Sequence, residues 1–191
     1  MNLLTAENIT KAYTDKVLLD NVSFSIQDNE KIGVTGINGM GKSTLLKIIA
    51  GAEEPDDGSI AIGNNVKIGY LPQNPVFEKG ITVLEAACGS GKNSQADITK
   101  KSEAKAMLNK LGMDNFDQPV EELSGGQKKR TALVKVLLEP VDILVLDEPT
   151  NHLDNEMSGW LEEYLCKYKN AKVMVTHDRY FLDSVSTRIV E

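Results

Sequence analysis

Residues 36–44 read GINGMGKST and follow the apolar stretch KIGV at 31–34. Beyond them, STLLKIIAG at 43–51 repeats its apolar positions at helical spacing and stops on Gly51, a favoured residue just past a helix end. A buried strand, a glycine turn and a helix therefore come in immediate succession. Gly36, Gly39 and Gly41 carry no Cβ, so the backbone can turn tightly and aim successive N–H groups at an anion. A helix opening near Lys42 adds the positive end of its dipole to the same spot.

This is the context a phosphate-binding P-loop requires. Asn38 and Met40 complete the loop backbone. Lys42 is placed to reach the β- and γ-phosphates of a nucleotide, Ser43 to give its hydroxyl to Mg²⁺, and Thr44 to bond the α-phosphate. A chance GKS in a glycine turn is the competing reading, and a second metal ligand downstream weighs against it. That ligand is Asp147, at the end of VDILVLDE (141–148), where an apolar strand should finish. Neighbouring strand residues point to opposite sides, so Asp147 and Glu148 should divide the work. Asp147 serves the cation, and Glu148 is the candidate general base or water-orienting group for attack on the γ-phosphate. The bland alternative is a solvated acid pair capping the next helix.

The rest of the chain supplies the frame. Its 191 residues suit one domain, and 41% hydrophobic with 26% charged residues is ordinary for a soluble protein. No segment approaches the roughly 20 apolar residues that span a bilayer, and the N-terminus lacks a secretory signal, so membrane insertion is not expected and a cytoplasmic address is. Cys88 and Cys166 have neither disulfide-framework nor zinc spacing. The formal net charge of −7 makes the chain as a whole a poor binder of polyanions, so any nucleic-acid contact must be local.

Two strands are expected at 3–13 and 17–27, and SIAIGNNVKIGYLPQ at 59–73 reads as a strand pair. From about residue 81 the pattern turns helical, with Ala104, Met107, Leu108 and Leu111 on one face and Gly112 as a stop. CGSGKNSQAD, 88–97, reads as a surface loop. The last third alternates helix and strand, which implies a parallel sheet covered on both faces. In the helix near Trp160, the stripe Met157, Trp160, Leu161, Tyr164, Leu165 and Tyr168 is core packing. KKR at 128–130 reads as a solvated helix face rather than an RNA contact.

LSGGQ at 123–127 precedes a helix, with Ser124 at its N-cap and the amides of Gly125 and Gly126 beside it. Together with the P-loop and the acid pair, it makes the sequence resemble the ATP-binding cassette (ABC) superfamily along essentially its whole length. GINGMGKST matches Walker A, Gln73 in GYLPQN the Q-loop glutamine, LSGGQ the signature and ILVLDEPT Walker B. NHLD at 151–154 stands at the D-loop, His177 in VTHDRYFLD looks like the switch histidine, and Tyr13 lies where the family stacks an aromatic ring on adenine.

The resemblance implies an α/β fold with a mostly parallel core sheet, an antiparallel β subdomain and an inserted helical subdomain. Residues 1–75 and 138–191 would form the nucleotide-binding core and 76–137 the helical part. It also implies a composite site in which two cassettes sandwich two ATP molecules head to tail. Ser124, Gly125, Gly126 and Gln127 would then act in trans. Gln73 would approach metal and water, His177 the γ-phosphate, and Asp154 would couple the halves. His152 is assigned to structure or to the cassette interface, and Tyr13, Gln73 and His177 each retain a purely structural alternative.

LDEPTNHLD and VTHDRYFLD are most similar to the ABC-F branch, soluble tandem-cassette proteins that act on ribosomes in translation or antibiotic protection. The ATPase subunit of a membrane transporter is the alternative. A second cassette, with ribosomal RNA or protein as the target of the full-length protein, follows as the expected partner set. Gln73 and Leu123 are 50 positions apart (123 − 73), which leaves room for the helical subdomain and little else. The chain is expected to be the first, N-terminal cassette of a longer protein.

Overall fold

A computed structural model describes residues 1–13, 16–37, 39–89 and 95–191, with the backbone alone for 95–97. Strands β1 (Asn2–Tyr13) and β2 (Lys16–Gln27) pair antiparallel, and β3 (Lys31–Val34) leads into helix α1 (Lys42–Ile49). Next come β4 (Asp57–Ile62), β5 (Ile68–Leu71), α2 (Val83–Cys88) and α3 (Gln95–Lys110), then a 3-10 turn at Val120–Glu122. The last third contains α4 (Gly125–Leu138), β6 (Ile143–Asp147), α5 (Asn155–Lys167), β7 (Ala171–Val175), α6 (Arg179–Val185) and β8 (Arg188–Val190).

Five strands form one parallel sheet in the order β5-β6-β7-β3-β8, and three form an antiparallel sheet in the order β2-β1-β4. The expected strand pair at 59–73 is thereby corrected. β4 joins β1 in the antiparallel sheet, whereas β5 lies beside β6 in the parallel one, with Ile68 opposite Ile143 and Leu71 opposite Leu146. Local alternation shows that two strands exist but says nothing about their partners. The expected loop at 88–97 is also revised: Cys88 ends α2 and Gln95 opens α3, while residues 90–94 lie outside the described residues.

All five residues of β6 are buried. Ile143 and Val145 pack with Ile32, Val34, Leu46 and Val173 on the face that α1 and the antiparallel sheet cover. Leu144 and Leu146 pack with Leu133, Leu161, Met174 and Leu182 on the opposite face. The two-residue period of a strand thus feeds two hydrophobic layers, each fully buried aliphatic side chain stabilising by about 1.5–3 kcal/mol. α4 lies close against β5 because Gly69 has no side chain: a Cβ there would stand 2.9 Å from Val136 Cγ2.

Leu161 and Leu165 of the expected α5 stripe are fully buried, with Met157, Trp160, Tyr164 and Tyr168 packed beside them. Ala104, Leu108 and Leu111 are likewise buried between α3 and its neighbours, and Gly112 ends that helix with a φ of 66°. No disulfide forms among the described residues; Cys88 is buried and Cys166 exposed.

Lys172, in β7, is one exception to this apolar sorting. It is 1% exposed, and its Nζ donates to Leu165 O at 2.5 Å, at the carbonyl end of α5. Lys31 Nζ donates to the adjacent Cys166 O at 3.0 Å. Burial pushes the Lys172 ammonium down from its usual 10.5 to about 8, with the nearby Lys31 charge acting the same way. Between those two values the unfolded chain binds the extra proton, so this residue makes stability rise with pH across that window. Urea unfolding of wild type and Lys172→Met at pH 8 and pH 10 should show the difference between them shifting in favour of wild type at the higher pH. A difference that stays flat or moves the other way would contradict the assignment.

Candidate nucleotide-binding site

The site begins where β3 ends. After Val34 the chain enters a glycine turn and then α1, whose N-cap position is Gly41, with φ 87°. A Cβ at Gly41 would lie 2.8 Å from Leu18 O, so both the left-handed backbone and the closeness of β2 call for glycine here. Lys42 Nζ donates to Gly36 O at 2.7 Å and to Ile37 O at 3.1 Å, folding across the mouth of the turn. Gly36 and Gly39 also have positive φ, and Met40 is exposed. Asn38 lies outside the described residues.

The turn opens into a cavity of about 380 Å³ lined by Leu18, Gly39, Gly41, Lys42, Ser43, Thr44, Gln73, Glu148, Val175 and His177. Eight of the residues singled out from sequence line it, together with two that were not, the apolar Leu18 and Val175. Tyr13 is not among the lining residues; it stands at the end of β1, half exposed, with its hydroxyl bonded to Glu53 and Lys11 Nζ 5.8 Å from its ring centre.

Asp147 and Glu148 meet different surroundings, through backbone geometry as well as strand alternation. Asp147, fully buried at the end of β6, accepts from Ser43 Oγ at 3.1 Å through Oδ1. Its Oδ2 is buried and has no hydrogen-bond partner. Such an orphaned anionic oxygen beside a hydroxyl suits a cation. Burial raises the Asp147 pKa, opposed by the Ser43 hydrogen bond and the charges of Lys129, Lys47 and Lys42.

Glu148 has left the strand. Its φ is 51°, a conformation costly for a side chain of this size and concentrated at functional sites. Glu148 N donates to Val175 O at 2.8 Å, which pins the turn to β7. The carboxylate is 4% exposed; Oε1 lies 3.1 Å from His177 Nε2, and Oε2 accepts from His177 N at 3.3 Å. Burial raises the Glu148 pKa, with His177 pulling it back. Neither acid caps a helix or meets solvent, so the bland reading of the pair does not hold.

The signature segment lies elsewhere. Ser124 caps α4 in a reciprocal box: Ser124 Oγ accepts from Gln127 N at 3.2 Å and Gln127 Oε1 from Ser124 N at 3.0 Å. Ser124 and Gly125 are exposed, and no residue of 123–127 lines the cavity. His152, with φ 67°, packs against Gly126, where a Cβ would stand 3.1 Å from His152 Cβ. Asp154 caps α5, its Oδ1 accepting from Met157 N at 2.9 Å.

The basic stretch 128–130 is not a solvated face. Lys129 is 3% exposed, and Arg130 NH1 donates to Leu111 O at 2.8 Å. The signal was present in the sequence: Lys129, Leu133, Val136 and Leu137 fall on one side of α4 at i, i+4, i+7 and i+8, and all four are buried. Helical phase, not the run of charge, decides which side of α4 Lys129 takes.

Comparison with known proteins agrees with this geometry. The chain is 44% identical, over its full length, to the Bacillus subtilis protein named "Uncharacterized ABC transporter ATP-binding protein YfmR", of which it covers 36%. It is 37% identical over 99% of its length to the Mycobacterium tuberculosis "Energy-dependent translational throttle protein EttA", covering 40% of it. The chain thus spans well under half the length of these relatives. Among solved structures, the ADP- and Pi-bound dimeric post-hydrolysis state of the ATP-binding cassette MJ0796 superposes with a TM-score of 0.82 at 25% identity, over 95% of this chain and 91% of that one. The family model described as "ABC transporter" matches residues 19–151, from within β2 to the segment after Glu148. The chain belongs to the ATP-binding cassette family, and its sequence fits the F branch of that family.

Proposed function

We propose that this chain binds ATP with Mg²⁺ and hydrolyses it as one half of a head-to-tail pair of cassettes, and that its parent protein couples the cycle to translation on the ribosome. The observation that carries the hydrolytic reading is the buried Glu148 carboxylate, held by His177 at the wall of the cavity that the phosphate loop opens. In this reading the amides of 39–44 and Lys42 hold the phosphates, and Tyr13 stacks on the base at the outer rim. Ser43, Gln73 and Asp147 would hold Mg²⁺, which would supply positive charge to the phosphate oxygens. The unpartnered Asp147 Oδ2 supports that placement.

Glu148 accepts a proton from the water that attacks the γ-phosphorus in line with the leaving ADP oxygen. A new P–O bond forms as the bridging one breaks, and ADP leaves with the electron pair. A carboxylate with its pKa raised by burial is a better base than a solvated one, and His177 keeps its oxygens in one orientation.

Pairing of cassettes is supported by the exposed signature end of α4, outside the chain's own cavity, and by the dimeric MJ0796 structure. Residues 76–137, with α2, α3 and α4 up to its last residue, then form the helical part that carries the signature. Asp154 and His152 would face the partner beside it. Translation as the target is supported by likeness to the translational throttle protein EttA, and this favours the ABC-F reading over a transporter subunit. Cosedimentation of the full-length protein with ribosomes in ATP should be positive, and copurification with membrane subunits instead would reverse that choice.

Three substitutions test the chemistry. Glu148→Gln should leave Mg-ATP affinity within about twofold and lower turnover by roughly 10²-fold or more; unchanged turnover would remove Glu148 from the reaction. Lys42→Ala should weaken ATP binding itself by at least about tenfold, since a charge-assisted contact is lost, and equal affinity would count against the cradle. Asp147→Asn should abolish the gain in ATP affinity that Mg²⁺ gives to wild type, while leaving the nucleotide-free protein as stable or more so because a buried charge is gone. Calorimetric titration with and without Mg²⁺, beside thermal unfolding, checks both halves of that statement.

A further inference from the structure

Lys129 carries a buried charge that the reaction outlined above does not use. Its Nζ donates to Asp147 O at 2.5 Å, to Pro72 O at 2.6 Å and to Gln73 O at 3.4 Å. All three acceptors are backbone carbonyls, one for each ammonium proton. They belong to two segments far apart in sequence, the turn after β5 and the end of β6, while the lysine itself belongs to a third, α4.

The carbonyl of Asp147 is part of the peptide that turns the chain into the left-handed conformation of Glu148. The N–H of that peptide is bonded to Val175 O at 2.8 Å. The Asp147–Glu148 peptide is therefore clamped on both sides, by β7 through its N–H and by Lys129 through its C=O. The same ammonium fixes the main chain at Pro72 and Gln73, so the direction in which the Gln73 side chain leaves the backbone is set by the contact that sets Glu148. Lys129 lies five residues beyond Ser124, about 7.5 Å along α4, in the second turn of the helix that begins with the signature. A short, fully hydrogen-bonded helix moves as a unit over that distance.

We propose that Lys129 is a positioning residue for hydrolysis: it holds Glu148 and Gln73 in one mutual geometry and transmits displacement of the signature end of α4 to both. The signature faces a partner's nucleotide, whereas Glu148 and Gln73 face this chain's own, so the lysine links the two half-sites through one side chain. A lysine suits the task because a compact ammonium on a flexible stem can satisfy three convergent carbonyls, which a planar guanidinium fits less well. This inference rests on the ATPase reading and deepens it.

The test uses the whole chain and compares wild type, Lys129→Met, which keeps the stem without donors, and Lys129→Arg, which keeps the charge. ATP affinity, kcat and KM are measured at protein concentrations that allow copies to pair, together with amide hydrogen exchange of residues 73–79 and 39–45. In Lys129→Met, exchange at 73–79 should rise at least about fivefold and kcat should fall at least about tenfold. ATP affinity, KM and the ATP-induced protection of 39–45 should stay within about twofold of wild type. Lys129→Arg should recover part of the loss in both kcat and exchange.

Wild-type exchange and kcat in Lys129→Met would overturn the inference. A uniform loss of protection across the chain, with affinity falling in step with kcat, would also overturn it, since the lysine would then serve the fold alone. If Lys129→Met does not fold, Lys129→Gln is read in the same way, and if no substitution yields a folded chain the inference falls. A wild-type chain that does not bind ATP would instead defeat the ATPase reading itself.

Discussion

Burial of β6 on both faces is the constraint from which the rest follows. Because Ile143, Leu144, Val145 and Leu146 are all withdrawn from water, the carboxylates that come next in the chain emerge inside the protein rather than at its surface. An ionised carboxylate in such a place costs several kcal/mol unless hydrogen bonds or opposite charges compensate. Ser43, His177 and Lys129 each supply part of that compensation, and each comes from a different element. The phosphate loop, the β7 terminus and the signature helix are thus drawn to one point by the electrostatic demand of two adjacent residues.

The compensation is incomplete in an informative way. Asp147 keeps one oxygen without a partner, and Glu148 keeps a raised pKa and a left-handed backbone. Strain and unsatisfied polarity of this kind persist only where surrounding packing over-determines the conformation. Here the packing is the parallel sheet and its two hydrophobic layers, with close helix approach at Gly69 holding α4 in place. Stability of the frame thereby maintains an unfavourable local arrangement at the wall of the cavity that the phosphate loop opens.

Separation of the signature from the cavity gives the molecule two unlike ends. One is concave, lined by glycines, Lys42, Gln73, Glu148 and His177; the other is an exposed, self-capped helix start beside His152. Lys129 sits between them, and in its case charge pattern and helical phase give opposite answers. Three consecutive basic residues look like a solvated face when read as charge. The helical phase of Lys129 with Leu133 and Leu137 places one of them inward, and the acceptors that make a buried ammonium tolerable lie 56, 57 and 18 residues away in sequence. No local pattern records such acceptors.

What the sequence settled alone were features whose cause is local. Glycines at 36, 39 and 41 permit the loop, β-alternation and helical spacing give the elements, and Ser124 caps its helix with a side chain three residues from the amide it meets. Tertiary structure alone assigned β4 and β5 to different sheets, took Glu148 out of the strand, and turned Lys129 from a surface charge into a buried tie. The reason is one of range. Backbone sterics and side-chain period act over a few residues, whereas strand partnership and the tolerance of a buried charge depend on groups that only the folded chain brings within hydrogen-bond reach.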